Sequence, residues 1–265
     1  MDKSFKKLLI DLFIVILISP ILILVIWGFT SSWMYPNLLP NNYSLRALEY
    51  ITNIQNVKVL IDTLIISFIV VIITIILSLP AAKAIALYEF KGKKIAEMLI
   101  LSPIIIPTIS IAMGIHITFI KLKLANNIIR VIIINLLPCI PYGVRMISDV
   151  YKLLGNKFEQ QASILGANKF NSFIYVTLPL LMPGILGASS MCFIISFSQY
   201  FLTLIIGGGA VTTYPMIMFP YIQSGDRTVS SIYSIVFLIV SLIVLIIIEY
   251  MVNKYYKQNN KNILF

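Results

Sequence analysis

Five polar side chains, Ser196, Ser198, Gln199, Tyr200 and Thr203, crowd into one otherwise apolar run, Leu180 to Ile206. Hydroxyls and a carboxamide exchange hydrogen bonds, and inside a membrane such groups are favoured only when they face a partner helix or water. Two readings therefore stand for this set: glue between packed helices, or the lining of a route for a polar solute. The other candidates for chemistry are sparse. His116 is the only histidine, with no ionisable partner close in sequence, so it reads as a packing residue and not as a proton relay. Cys139 and Cys192 lie in separate apolar runs without metal-ligand spacing and read as structural thiols.

Gly207 to Gly209 follows an apolar run where a phosphate loop would follow a strand, so it reads as a flexible outer turn. The sequence contains no G-x-x-x-x-G-K-[ST] and no H-E-x-x-H, and Asp62, Asp149 and Glu249 all stand near the ends of apolar runs. No catalytic residue, metal site or cofactor is expected. An ion-coupled carrier, the alternative from another class, would carry ionisable residues at the midplane, and this chain shows almost none. Any work it does must be driven from elsewhere.

The elements that position these residues are membrane helices. Hydrophobic residues make up 59% of the chain and charged residues 11%, with a mean hydropathy of +0.97. A hydrocarbon core about 30 Å thick needs about 20 apolar residues per helix. Six runs qualify: Leu8 to Phe29, Leu60 to Leu87, Ile95 to Phe119, Ile128 to Ile147, Leu180 to Ile206 and Ile232 to Val252. They are long and continuously apolar, which excludes the short alternating segments of a barrel. With the N-terminus inside, fourteen of the 20 basic residues fall in inner segments; the six outer ones are Arg46, Lys58, Lys121, Lys123, Arg130 and Arg227. That bias places both termini in the cytoplasm. The net charge of +10 is thus topological, and no nucleic-acid partner is needed to explain it. The expected fold is an all-α membrane protein of six transmembrane helices, a single domain over residues 1–265, multi-pass in the plasma membrane. The first run, too long and without a cleavage pattern, reads as a retained anchor.

Within the runs, Pro20 predicts a kink, and Trp27, Trp33 and Tyr35 suit the outer interface, beyond which Pro36 and Pro40 mark turns. Lys83 stands about one turn from the inner interface, where its ammonium can snorkel outward without any functional role. Pro103 and Pro107 predict a bent or locally unwound third span. The segment Ala210 to Thr228 is expected along the outer face, broken by Pro215 and Pro220.

One mixed stretch, Phe158 to Pro183, interrupts the apolar pattern on the inner side. Phe158, Ala162 and Leu165 share one face of a short helix, and Glu159, Gln160 and Ser163 point elsewhere. Gly166 permits a left-handed turn or a close approach. Asn168 or Asn171 can cap a second helix on which Phe170, Phe173, Ile174 and Thr177 share a face, and Pro179 bars its simple continuation. Two short helices joined at a glycine make a protruding elbow, over residues 149–180, that suits a groove on a soluble partner.

The run E-Q-Q-A-S-I-L-G-A followed by V-T-L-P resembles the cytoplasmic EAA loop of permease subunits of binding-protein-dependent ABC importers. Ala162, Gly166, Ala167, Leu178 and Pro179 keep the family spacing. Aligned on Gly166, the usual Glu-Ala-Ala falls on Gln160, Gln161 and Ala162, with Glu159 one place upstream. The resemblance implies a type I (MetI-like) permease architecture in a prokaryotic membrane. It implies as partners two ABC ATPase subunits, a second permease subunit, identical or homologous, and an external solute-binding protein, all in a lipid bilayer. The ATPase-coupling loop would comprise Phe158, Glu159, Gln160, Gln161, Ala162, Leu165, Gly166, Ala167, Leu178 and Pro179. Overall the pattern is most similar to the spermidine/putrescine-type group, related to permeases for thiamine, iron and oxyanions. A small polar solute is therefore the expected cargo.

Overall fold

Apolar runs in lipid become helices because a helix satisfies every backbone polar group internally. The computed structural model describes residues 3–32, 40, 42–124 and 127–262. In chain order its elements are α1 (Lys3–Gly28), β1 (Thr30–Ser32), β2 (Asn42–Tyr43), α2 (Arg46–Thr52), α3 (Ile54–Leu87), α4 (Lys93–Ile105) and α5 (Thr108–Lys121). There follow α6 (Asn127–Leu154), α7 (Lys157–Ile164), α8 (Lys169–Ser172), a π-helical segment (Phe173–Thr177), α9 (Leu178–Phe197), α10 (Phe201–Gly207), α11 (Tyr214–Gln223) and α12 (Arg227–Asn262). Five helical stretches are long and apolar enough to cross a membrane, and the bent pair α4–α5 makes six if it counts as one span. Trp33, Tyr35 and Pro36 lie outside the described residues.

The chain divides into two compact units. The first comprises Met1–Leu60 and Tyr214–Ile243. Its core gathers Ala47, Tyr214, Val229, Ile232 and Tyr233. The Tyr214 hydroxyl donates to the carbonyl of Tyr233 at 3.0 Å, and Asn56 Nδ2 donates to the Tyr233 hydroxyl at 2.8 Å, so the buried phenols are satisfied. The short β1–β2 hairpin pairs Thr30 with Tyr43. An Arg46–Asp226 ion pair and the guanidinium of Arg227, 5.2 Å over the Trp27 ring, close the unit's polar rim.

The second unit comprises Ile61–Thr213 and Val244–Phe265. Its centre is the antiparallel pair α6 and α9. Cys139 and Cys192 each donate a thiol to the other's carbonyl at 3.5 Å, and further along, Gly184 and Gly187 pack against Met146. Also on α6, Gly143 approaches Thr74 and Ser78 of α3 so closely that an added Cβ would lie 2.4 Å from Ser78 Oγ. Small residues at such crossings let backbones approach where lipid provides no hydrophobic drive. Ala82, Ile85, Val144, Ile147, Tyr151, Leu181 and Ala188 fill the inner half of this core, and further along α9 Phe193 stacks on Phe197 at 5.3 Å with Phe68 tilted against it at 5.5 Å.

Four local expectations change. The third span does bend, by 105°, but the break falls at Ile106–Pro107 and Pro103 stays inside α4. The fifth span is not one rod: α9 ends at Phe197 and α10 begins at Phe201. The outer segment is not broken by its prolines. Pro215 is the second residue of α11, where no amide donor is required, and Pro220 is held within the same helix. Nor does Pro179 stop the second elbow helix. The π-helical segment widens the turn ahead of it, with Leu178 N–H bonding the Phe173 carbonyl, and α9 continues with Pro179 in its first turn.

Candidate coupling and pathway sites

The inner loop is built from two ordinary termination signals. Glu159 lies in the first turn of α7, where a carboxylate complements the helix dipole. At the other end Gly166 takes φ of +87°, its N–H bonds the Ser163 carbonyl at 3.0 Å, and the Ala167 N–H bonds the Ala162 carbonyl at 3.0 Å. That is the Schellman arrangement, which needs a left-handed residue just past the helix. Of the two asparagines, Asn168 is the cap of α8: its Oδ1 accepts from the Asn171 N–H at 2.7 Å.

The expected faces of the elbow separate on folding. Ala162 and Thr177 are buried and Phe173 and Ile174 half-buried, but Phe158 and Phe170 stand exposed. Leu165 and its neighbour Ile164 are 88% and 84% exposed, and Tyr175 is 75% exposed. Gln160 and Gln161 face solvent, and Ala167, Leu178 and Pro179 are half-buried. The loop thus keeps a small apolar footing beneath and offers large apolar groups outward.

Its fixed point is a carboxylate. Lys83, read from sequence as a snorkelling cation, reaches from α3 to bond both oxygens of Glu159, at 2.8 and 2.7 Å. The Thr177 hydroxyl adds a third bond to Oε1 at 2.7 Å. Burial alone would push the Glu159 carboxyl up, but the Lys83 and Thr177 hydrogen bonds outweigh it and hold the group below its ordinary value. Beside it a recess of about 630 Å³ is lined by Lys83, Tyr88, Asn156, Glu159, Gln160 and Lys169, among others. Sequence reading missed the Lys83 bond because the partners stand 76 residues apart, and no local pattern marks such a pair.

The five polar residues of the fifth span do not form one row. Ser196 is buried in α9 with its hydroxyl unpartnered, and Ser198 is exposed and bonds back to the Ile195 carbonyl at 3.2 Å. Gln199 and Tyr200 occupy the connector, with Tyr200 edge-on to Phe201 at 4.8 Å, and Thr203 is buried in α10, bonding the Gln199 carbonyl at 3.5 Å. On α6, Asn135 stands one turn from Cys139, as Ser196 stands one turn from Cys192 on α9, and the Asn135 side-chain carbonyl oxygen also lacks a partner. A second recess of about 240 Å³ is lined by Asp62 and Ile65 of α3, Ile128 of α6 and the backbone segment 210–212. His116 is half-buried with Nδ1 unbonded, and no group of His, Cys, Asp and Glu fit to hold a metal occurs among the described residues.

Residues 74–257 match the family described as binding-protein-dependent transport system inner membrane component. Over 240 residues, 90% of each chain, the sequence is 24% identical to PhnV of Salmonella typhimurium, a protein assigned by name to 2-aminoethylphosphonate transport. Over 143 residues it is 24% identical to the putrescine transport system permease PotI of Escherichia coli, covering 52% of this chain and 51% of that one. The fold is similar to that in the crystal structure of a bacterial ABC transporter involved in the import of the acidic polysaccharide alginate. There the TM-score is 0.62 at 15% identity, over 97% of this chain and 99% of the other.

Proposed function

Since the chain belongs to the family of binding-protein-dependent transport system inner membrane components, we propose that its inner elbow, Lys157 to Pro179, is the surface on which a separate ATPase acts. The protein is a non-enzymatic, multi-pass permease subunit of an ABC importer for a small solute. That family role implies ATPase and binding-protein partners. The reading goes on to a second permease, identical or homologous, with both units of this chain forming one permease domain. One observation carries the coupling assignment: a Schellman-closed, tethered loop turns Ile164, Leu165, Phe170 and Tyr175 outward, exposed among the described residues. ATP-driven closure of a groove around such a loop gives the differential contact that a two-state transporter needs. Normal ATP-dependent uptake by Gly166→Leu in reconstituted vesicles would sink it.

For the cargo, the same reading takes Ser196, Ser198, Gln199, Tyr200 and Thr203 as the polar stations of the route. Their hydroxyls and amide suit a solute carrying an oxyanion, such as the phosphonate in the name of the relative that aligns over 90% of the chain. A polyamine is the second reading, supported by Asp62 at the 240 Å³ recess and by the putrescine relative. Uptake of 2-aminoethylphosphonate and of putrescine by vesicles carrying the intact importer separates them: competition by the diamine alone overturns the oxyanion assignment.

A further inference from the structure

The elbow has two covalent exits. Through Gly155 and Asn156 it joins α6, and through α8 and the π-helical segment it joins α9. Neither leads to α3, which is separated from the loop by about seventy residues of chain. The helices also touch by apolar and small-residue packing, Phe68 on Phe193 and Gly143 on Thr74 and Ser78, and smooth contacts of that kind permit sliding. The inner end of α3 meets the loop differently, through Lys83 and both oxygens of Glu159, with Thr177 on the same carboxylate. One ammonium bonding both oxygens of a carboxylate fixes their separation, and the Thr177 hydroxyl on the same carboxylate fixes which way it faces.

We propose that Lys83 is a positioning residue of the import cycle, which pins the elbow to the inner end of α3 so that a displacement of the loop is delivered to α3 as well as to α6 and α9. This rests on the reading of the elbow as the ATPase contact. The other ion pairs of the second unit do not compete for the role. Lys93 with Glu89 and Arg145 with Asp149 are each four residues apart, and Lys152 with Asp149 three, so they tie neighbouring turns and connect no distant elements. Lys83 and Glu159 are each only 25% exposed at the side chain, so water competes less for their bonds than it does at Asp149, where the figure is 52%. Lys83 touches no solute on this account; it acts through Glu159.

The test follows α3 directly. Spin labels at Tyr88→Cys, at the inner end of α3, and Leu153→Cys, at the end of α6, report their separation in the importer assembled with its ATPase subunits, with and without ATP. The native thiols Cys139 and Cys192 are fully buried and will not take label. In the otherwise native chain ATP shifts the separation. In Lys83→Gln and Glu159→Gln the shift falls to about half or less, because the loop moves without carrying α3. The reversed pair Lys83→Glu with Glu159→Lys restores it, with the ATPase retained throughout. An unchanged shift in both single variants, no shift in the native pair, or a reversed pair no better than the singles overturns the proposal and leaves the ATPase contact standing. A chain that retains no ATPase at all overturns both.

Discussion

The elbow and the break in the fifth span sit on the same helical run, yet they are held in opposite ways. At the elbow Gly166 closes a Schellman turn, Asn168 caps a helix and Glu159 holds three hydrogen bonds, and among its described buried side chains only the Ser172 hydroxyl lacks a partner. Near the break, Ser198 bonds back to the Ile195 carbonyl, and Ser196 of α9 and Asn135 of α6 each leave a buried oxygen unpartnered. A satisfied polar network specifies one geometry. Unsatisfied hydroxyls and amides in an apolar core keep bonding capacity that a second conformation or a polar solute can use. The difference is that expected between a part that transmits force as one piece and a part that must change what it contacts.

Gly166→Leu attacks that contrast hardest. It forces a branched side chain into φ of +87°, at a local cost of about 1–2 kcal/mol. Open space surrounds the site, so the loop distorts without a clash in the core. Membrane insertion should be normal and uptake should fall at least about tenfold, equivalent to about 1.4 kcal/mol of lost coupling. Replacing Ser198, Gln199 and Tyr200 together by Ala should act at the other pole, raising the solute KM several-fold with ATPase retention unchanged. Unaltered uptake kinetics would remove these residues from the route.

Titration sharpens the comparison next. The Glu159 carboxyl is held below its ordinary value in the fold, so its contribution is complete above the unfolded value and is lost only as pH falls through the lower folded one. Lys83 and Thr177 bond it, and Tyr151 of α6 stands near enough to feel its charge. Solute imported per ATP hydrolysed should therefore be level between about pH 5 and pH 8, and a fall centred near neutrality would mean that another group controls the loop. Asn168→Ala should weaken the start of α8 by about 1 kcal/mol, seen as faster amide exchange at Asn171 and Ser172. Smallest of all, Ser196→Ala should leave thermal stability unchanged or slightly raised, since it removes a hydroxyl that bonds nothing.

How far each region could be read from sequence follows the same divide. Gly166 announces itself, and the cap of α8 is narrowed to Asn168 or Asn171, because a left-handed cap and an N-cap are local requirements of residue type. The spans announce themselves by length and apolarity, and Pro107 by its missing donor. Pro179 misled because a proline forbids a regular continuation, whereas a wider turn ahead of it restores the helix. The break after Phe197 was not legible: no proline or glycine stands between Phe197 and Phe201. Lys83 was visible only as a snorkelling cation, since its partner lies far along the chain and in lipid both faces of a helix are apolar, which erases the periodicity that would have aimed it.

The π-helical segment Phe173–Thr177 has one more consequence. It lodges a spare residue in the rod between elbow and span, as slack is kept in a cable. Passing that residue one place along would re-aim the one residue it passes by about 100°, the angle of one residue at 3.6 per turn, while leaving the rod unbroken and the helix beyond in phase. The faces shown between elbow and span can in this way be exchanged one residue at a time, with α9 still continuous.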